Sequence, residues 1–222
     1  MGGSLSRDLI VRTAVALIER DGINAVSMRR LAAELGTGAM SLYNHVPNKA
    51  ALLDAVAEHV LVEVQLTADP SDDWRAAARS LARSFREVAH RYPRSVMVVI
   101  SRRPNSTVGL RAVELALATV RAAGFDGSAA VRAMRAVVNY VLGCLLHEAS
   151  QTEARSTEAG PTVNEAELAA AGLVNVRDLL PDLVEHDSEA DFEFGLELLI
   201  SALDALPRTD ALRQGDTAGW RG

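Results

Sequence analysis

A run of polar side chains near the N-terminus carries chemistry suited to nucleic acid. Ser41, Tyr43, Asn44 and His45 fall within five positions, and the single lysine of the chain, Lys49, follows them. Hydroxyl, amide, imidazole and ammonium groups can donate hydrogen bonds to phosphate oxygens or to the edges of bases. The segment is therefore a candidate DNA contact, provided that the fold presents it on an exposed helix.

The residues around this run predict a helix-turn-helix. Ser27 is a typical N-cap for a short helix, and Gly36-Thr37-Gly38 breaks that helix before a third helical segment over 39–46. Leu42 and Val46 are four apart, so both would face the interior and leave the polar side chains for a major groove about 12 Å wide.

Helical spacing of apolar residues continues along the chain and predicts an all-α fold. Ser6 caps the first predicted helix and Gly22 ends it, while the polar stretch 69–73 is the best domain boundary. The other helices are predicted over 49–66 (capped by Asn48), 73–91, 94–101, 107–123, 127–152, 165–171, 176–186 and 189–206. The resulting domains are a head over residues 1–50 with a connecting helix over 49–66, a larger domain over 67–206, and a tail over 207–222 predicted to be disordered; residues 153–164 are predicted to form a mobile loop.

Charge and cysteine content exclude several classes of protein. The formal net charge of −6 excludes a globally basic nucleic-acid binder, but the first 50 residues carry six cations against four anions, which places a positive head on an acidic body. Cys144 stands alone, so an intrachain disulfide framework and a cysteine zinc site are excluded. No uninterrupted apolar run reaches 18 residues, so we expect a soluble cytoplasmic protein with no membrane partner.

Two groups of motifs resemble the TetR family of bacterial transcriptional regulators. In the head these are Leu31–Gly36, Ser41–Lys49 and Leu52-Leu53. In the larger domain they are Trp74, Ser84-Phe85, Arg103-Pro104, Gly124-Phe125 and Leu142-Gly143-Cys144, which resemble the tetracycline-repressor branch. The resemblance implies a DNA-binding head on a helical domain that binds an effector and forms a homodimer.

The resemblance also implies which residues contact the operator. They are Arg29, Thr37, Ala39, Met40, Ser41, Tyr43, Asn44, His45 and Lys49. Tetracycline repressors carry Gln and Pro where this chain has Ala39 and Met40, so a base-reading amide is lost and the operator sequence should differ. Alternatives remain for single residues: Tyr43 could fill the head core, His45 could be inert, and Thr37 could serve only the turn.

Two apolar seams, far apart in the sequence, have the spacing of a helix bundle. They comprise Val131, Met134, Val138, Val141 and Leu145, and Phe192, Leu196, Leu199, Leu203 and Leu206. Such seams suit either a four-helix bundle between two subunits or packing within one chain, and periodicity does not separate these options. The resemblance implies the dimer interface.

A second set of residues is predicted to line an effector cavity, the alternative being a filled core. The set comprises Phe85, Val88, Met97, Ile100, Arg103, Leu115, Val137, Asn139, Tyr140, Cys144 and His147. Tetracycline repressors place His, Asn, His and Gln where this chain has Gln65, Leu81, Val99 and Leu115. Because these replacements include three apolar residues, we predict no metal, no cofactor and no magnesium–tetracycline binding, and a largely apolar effector held by Tyr140, His147 or Arg103.

The predicted function is thus a homodimeric repressor that binds double-stranded operator DNA and is released by an unidentified small molecule. An enzyme is the less favoured alternative, since the chain has no G-x-S-x-G motif and no glycine-rich phosphate loop. A protein-interaction module with a vestigial head is a third option. It is less favoured because the chain keeps Tyr43 and Lys49, which such a head would be expected to lose. An activator remains as open as a repressor.

Overall fold

A computed structural model describes residues 5–65, 67, 69–102, 106–156, 165–184 and 187–206. Within these residues the chain forms helices and no strands, so the all-α prediction is confirmed. The helices are α1 (Arg7–Asp21), α2 (Met28–Glu34), α3 (Ala39–Tyr43), α4 (Lys49–Val62), α5 (Trp74–Arg91), α6 (Val96–Ser101), α7 (Thr107–Ala122), α8 (Gly127–Ser156), α9 (Glu165–Ala170), α10 (Val174–Asp178), α11 (Leu180–Val184) and α12 (Ser188–Ala205), with a 3-10 turn at Ile23–Ala25.

The predicted caps set the starts of the head helices. The Ser6 hydroxyl accepts the backbone N–H of Leu9 at 3.2 Å, and the Asn48 side chain accepts that of Ala51 at 2.8 Å. Ser27 caps α2 in the same way. Each cap satisfies an amide that the first turn of a helix leaves unpaired.

Several predicted helix bounds differ from the structure, and α3, for example, ends at Tyr43 instead of residue 46. Helix α4 ends at Val62 instead of residue 66, because the following backbone turns to α5, where the amides of Gln65 and Thr67 donate to serine hydroxyls. Helix α8 continues to Ser156, so residues 153–156 are helical and not part of a loop. The helix predicted over 176–186 is two short helices, α10 and α11. The predicted loop over 157–164 and the tail over 207–222 lie outside the described residues.

Helices α1 to α4 enclose one hydrophobic core. Ile10, Leu17, Leu31, Leu42 and Leu52 are fully buried in it, as expected from the helical spacing of apolar residues in this part of the chain. Val98 of α6 is also fully buried in the same cluster. The head is therefore packed directly against the larger domain and not connected to it by α4 alone.

A reciprocal polar contact strengthens this junction. The Glu19 carboxylate, near the end of α1, accepts the backbone N–H of Ser95 at 2.7 Å, just before α6. In return the Arg94 guanidinium donates to the carbonyl of Arg20 at 2.7 Å. Unpaired backbone groups at the end of α1 and the start of α6 are thus satisfied by side chains of the other segment.

The larger domain packs α5, α7, α8 and α12 around a second core that includes Phe125, Phe192, Leu196 and Ile200. Ion pairs join α5 to α12 in antiparallel order: Arg75 to Asp204, Arg79 to Glu197, Arg83 to Glu193 and Arg86 to Glu189. Among the described residues, Gly127–Ser150 of α8 has the length and mean hydropathy of a membrane span. It packs against α5, α7 and α12.

Candidate DNA-binding and effector sites

One face of helix α3 packs on the head core, and the opposite face is exposed to solvent. Leu42 is fully buried in the head core, whereas Met40 is 77% exposed and Tyr43 43% exposed. Asn44 and His45 follow the helix and are exposed as well. Tyr43 therefore does not fill the head core, and its hydroxyl is available to a ligand outside the protein.

The turn before α3 brings the remaining predicted contacts to the same region. Gly36 adopts φ +62°, a left-handed conformation that favours glycine, and the Thr37 amide donates to the carbonyl of Ala32 at 2.9 Å. Thr37, Ala39 and Ser41 are partly buried. The DNA contacts of these residues remain a prediction, and the turn geometry shows that Thr37 has a structural role in addition.

Ion pairing separates the cations of the head into two groups. Four are paired to carboxylates in the same chain: Arg7 to Glu58, Arg12 to Asp8, Arg20 to Glu34 and Arg30 to Asp21. Arg29 and Lys49 are exposed and form no ion pair with any residue that the structure describes. Their charge is therefore available for phosphate, and these are the two cations among the predicted operator contacts.

An apolar cavity of about 310 Å³ lies in the larger domain, between α4, α5, α7 and α8. Its apolar lining consists of Ala57, Leu61, Val64, Ala78, Leu81, Ala82, Phe85, Val99, Ile100, Gly109, Ala112, Val113, Ala116, Val120, Met134, Val137, Val138, Val141 and Leu142. This volume falls in the range of small-molecule sites, which are usually apolar with a few placed polar groups.

Of the residues predicted to bind an effector, Phe85, Ile100 and Val137 line this cavity. Others lie elsewhere: Val88 packs between α4 and α5, Met97 faces outward, and Leu115, Asn139, Tyr140, Cys144 and His147 are not part of the lining. Arg103 lies outside the described residues. Of the α8 residues in this prediction, Val137 therefore lies on the cavity wall and the others lie away from it, because helical spacing identifies a face without indicating what it meets.

Tyr140 packs α8 onto α12 instead of meeting a ligand. Its hydroxyl donates to the carbonyl of Phe192 at 2.8 Å, and its ring stacks on that of Phe192 with centroids 6.0 Å apart. A Cβ at Gly195 would come within 2.6 Å of the Tyr140 ring, so the contact requires glycine on α12. Burial, followed by the nearby Cys144 thiol, raises the pKa of Tyr140 and keeps the hydroxyl protonated.

The polar part of the cavity lining was missed by the sequence analysis. It consists of Asp54, Glu58, Arg102, Ser106 and Thr119. Arg102 forms an ion pair with Asp54. The sequence does indicate that residues 54, 57, 58 and 61 share one face of α4. That this face lines a cavity becomes clear only once the position of α7 is known.

The positions that the family resemblance assigns to magnesium–tetracycline binding carry different chemistry in this chain. Leu81 and Val99 line the cavity and offer no ligand atom, whereas Gln65 lies on an outer groove between α4 and α5. Among the described residues, no group of three His, Cys, Asp or Glu side chains is placed to hold a metal ion.

Most of the residues in the predicted dimer seams are used within the chain. Val141, Leu145, Phe192, Leu196 and Leu203 are buried in the core of the larger domain, where they cannot contact a second chain. Met134 and Val138 line the cavity, although Val138 is still 38% exposed. Val131 and Leu199 are partly exposed and Leu206 is 38% exposed.

The apolar surface that α8 and α12 leave open lies beside these seams. Phe194 is 69% exposed, Leu198 56% and Leu146 40%. Exposed apolar side chains of this size on adjacent helices are typical of an association surface. Each lies one or two positions away from a predicted seam residue. A second apolar face on each helix could therefore have identified these residues from the sequence.

Comparison with known proteins agrees with this architecture. Residues 10–56 match the family model of bacterial regulatory proteins of the TetR family, and residues 66–206 match that of the tetracyclin repressor-like C-terminal domain. The chain is 32% identical to the HTH-type transcriptional repressor DrrR1 of Streptomyces coeruleorubidus, with 97% of this chain and 82% of the relative covered. It is also 32% identical to the class A tetracycline repressor from transposon 1721 of Escherichia coli, with 90% of each covered.

A solved structure shows the same fold. Streptomyces coelicolor ActR in complex with actinorhodin superposes with a TM-score of 0.77 at 29% identity, covering 90% of this chain and 96% of ActR. The two family models together span most of the chain, and they place the exposed α3 and the apolar cavity in the corresponding domains. The chain therefore belongs to the TetR family of bacterial DNA-binding transcriptional regulators.

Proposed function

We propose that this protein is a cytoplasmic homodimeric repressor that leaves its operator when a small, largely apolar ligand enters the cavity. The head over residues 1–50 binds DNA, and the domain over 67–206 binds the ligand and forms the dimer. The operator contacts are the predicted residues of α2, α3 and the start of α4, with Arg29 and Lys49 supplying the positive charge.

The observation that carries this proposal is that α4 contributes residues both to the head core and to the cavity wall. Leu52, Leu53 and Val56 of this helix belong to the head core, Glu58 and Leu61 line the cavity, and Ala57 does both. Protein cores are close-packed and do not deform continuously. A ligand that prefers a different position of α4 therefore shifts the head with it, and only that difference in affinity can drive release.

The cavity lining supports an apolar ligand. ActR, which shares the fold, has been solved with actinorhodin, so this architecture accommodates a small molecule. In the present chain Leu81 and Val99 replace metal and drug ligands by aliphatic side chains on the cavity wall. We therefore expect no magnesium–tetracycline binding, and isothermal titration with magnesium and tetracycline tests this directly.

The exposed apolar surface on α8 and α12 supports the dimer. Phe194, Leu198 and Leu146 would be covered in it, and two-fold symmetry would place two α3 helices on half-sites about 34–36 Å apart. A single five-residue recognition helix buries too little surface for specific binding by itself, so a dimer is also what the head requires.

Fluorescence anisotropy with the DNA upstream of the protein's own coding sequence tests the proposal. We expect binding at least about 10³-fold tighter than to scrambled DNA, with affinity falling as salt rises. Lys49→Ala should reduce the salt slope by about one. Arg12→Ala is the matched control, because Arg12 is an exposed head cation that is already paired with Asp8.

Equal salt slopes for Lys49→Ala and Arg12→Ala would contradict the assignment of the free cations. Equal affinity for all DNA, in that assay and in a genome-wide selection of bound fragments, would contradict DNA regulation altogether.

A further inference from the structure

We propose that the effector carries a basic amine on an apolar body, and that Glu58 binds its ammonium group. This inference rests on the proposed function, because it names the class of ligand for the same cavity. It follows from asking which polar groups on the cavity wall are still available to a ligand.

The neutral polar groups of the wall are committed to their own helices. The Thr119 hydroxyl donates to the carbonyl of Leu115 at 2.9 Å, and the Ser106 hydroxyl accepts the amide of Gly109 at 3.1 Å as the cap of α7. Neither hydroxyl therefore needs a ligand to satisfy it.

Arg102 is committed as well. Its guanidinium forms an ion pair with Asp54 and donates to the carbonyl of Ala50 at 3.3 Å. The pair is about three-quarters buried on both sides, with side-chain exposures of 28% and 24%. Arg102 would have to leave this carboxylate to bind an acidic ligand, and separating a largely buried pair is costly.

Among the charged wall residues that the structure describes, Glu58 has the weakest partner. Its side chain is 18% exposed, and it pairs with Arg7 at 3.4 Å, a long contact to a side chain that is itself 59% exposed. Because the Arg7 side chain lies largely in solvent, it is a weak partner for Glu58. The wall residues Asp54, Glu58 and Arg102 sum to one negative charge, which an ammonium neutralises and a carboxylate does not.

An amine would therefore gain a charge-assisted hydrogen bond at Glu58 while displacing only Arg7. Apart from Asp54, Glu58, Arg102, Ser106 and Thr119, the described wall is apolar and suits a ring system or a branched hydrocarbon body. In this arrangement Asp54 stays paired with Arg102. The Glu58 carboxylate alone therefore favours a positively charged ligand over a neutral or negatively charged one.

Three fluorescent probes with the same ring system test the proposal: 9-(aminomethyl)anthracene, 9-anthracenemethanol and 9-anthracenecarboxylate. Binding to the full chain is followed by fluorescence titration without DNA. We expect the amine to bind about tenfold or more tightly than the alcohol, and the carboxylate to bind most weakly.

Variants assign the effect to the carboxylate. Glu58→Gln should lower the affinity for the amine to that for the alcohol and leave the alcohol unchanged. Arg7→Gln should raise the affinity for the amine, because the competing cation is gone, which a purely structural role of Glu58 would not produce. Glu87→Gln is the control, since Glu87 is an exposed carboxylate of α5 on the outer groove and away from the cavity.

Equal binding of amine and alcohol, tighter binding of the carboxylate, or no binding of any probe would overturn the proposal. A second readout separates it from the proposed function. Release of operator DNA by the alcohol or the carboxylate at lower concentrations than by the amine would leave the repressor intact and refute the amine. Glu58-dependent binding of the amine without any release would leave the ligand class intact and refute induction.

Discussion

A substitution at Arg86 can test how much its buried ion pairs stabilise the larger domain. Its side chain is 7% exposed and donates two hydrogen bonds to one oxygen of Glu148, at 2.9 and 3.1 Å. It also pairs with Glu189 and lies over the Phe192 ring, 4.9 Å from the ring centroid. The single guanidinium thus connects α5 to both α8 and α12.

The substitution Arg86→Met keeps most of the volume and removes the charge. Glu189 is 66% exposed and can turn to water, whereas Glu148 is 15% exposed and retains its 2.7 Å contact with His90. Removing one partner of a buried pair costs about 3–5 kcal/mol. Because His90 offsets part of this cost, we expect about 3 kcal/mol.

Thermal unfolding at fixed protomer concentration measures this loss. For a chain of this size, about 3 kcal/mol lowers the Tm by roughly 6–12 °C. Arg83→Met is the matched control, one turn earlier on α5, where the pair with Glu193 has side-chain exposures of 49% and 28%. Such exposed pairs contribute about 1 kcal/mol or less. Equal Tm losses in the two variants would refute the argument from burial.

Two further predictions concern the same helices. Gly195→Ala should destabilise the protein by about 1–3 kcal/mol, because its Cβ would overlap the Tyr140 ring; urea unfolding measures this, and the double variant with Tyr140→Leu should recover part of the loss, which an unrelated cause would not allow. Acid should weaken the contact between α5 and α12: hydrogen bonds from Arg83 and Arg79 lower the pKa of Glu193 and Glu197 below the usual value of about 4.3. A lowered folded-state pKa gives stability that is present above about pH 4.3 and is lost as the pH falls through the folded value. The urea midpoint should therefore fall on acidification below that pH, and by less in the double variant Arg79→Met, Arg83→Met; an equal fall would contradict the assignment.

Local sequence determined the head almost completely. The N-caps Ser6, Ser27 and Asn48 act within three residues of themselves, and Gly36 forms its turn from its own backbone freedom, so neither needs information from distant parts of the chain. The fold class was predicted from helical spacing and the family from the resemblance of its motifs, and both are confirmed. The exposed position of Tyr43 also followed, because Leu42 and Val46 occupy the inward face of the same segment.

Tertiary structure alone decided what each helical face meets. Phe192 and Leu196 have the spacing of an intermolecular seam, yet they are buried within one chain, because periodicity defines a face and not its partner. Tyr140 was expected in the cavity and instead packs against Gly195, more than fifty residues away in the sequence. Glu58 became part of an apolar wall only through the packing of α4 against α7, and its weak partner Arg7 comes from the head. Contacts of this kind depend on chain segments that meet only in the folded state, which is why the ligand chemistry of the cavity could not be obtained from local pattern.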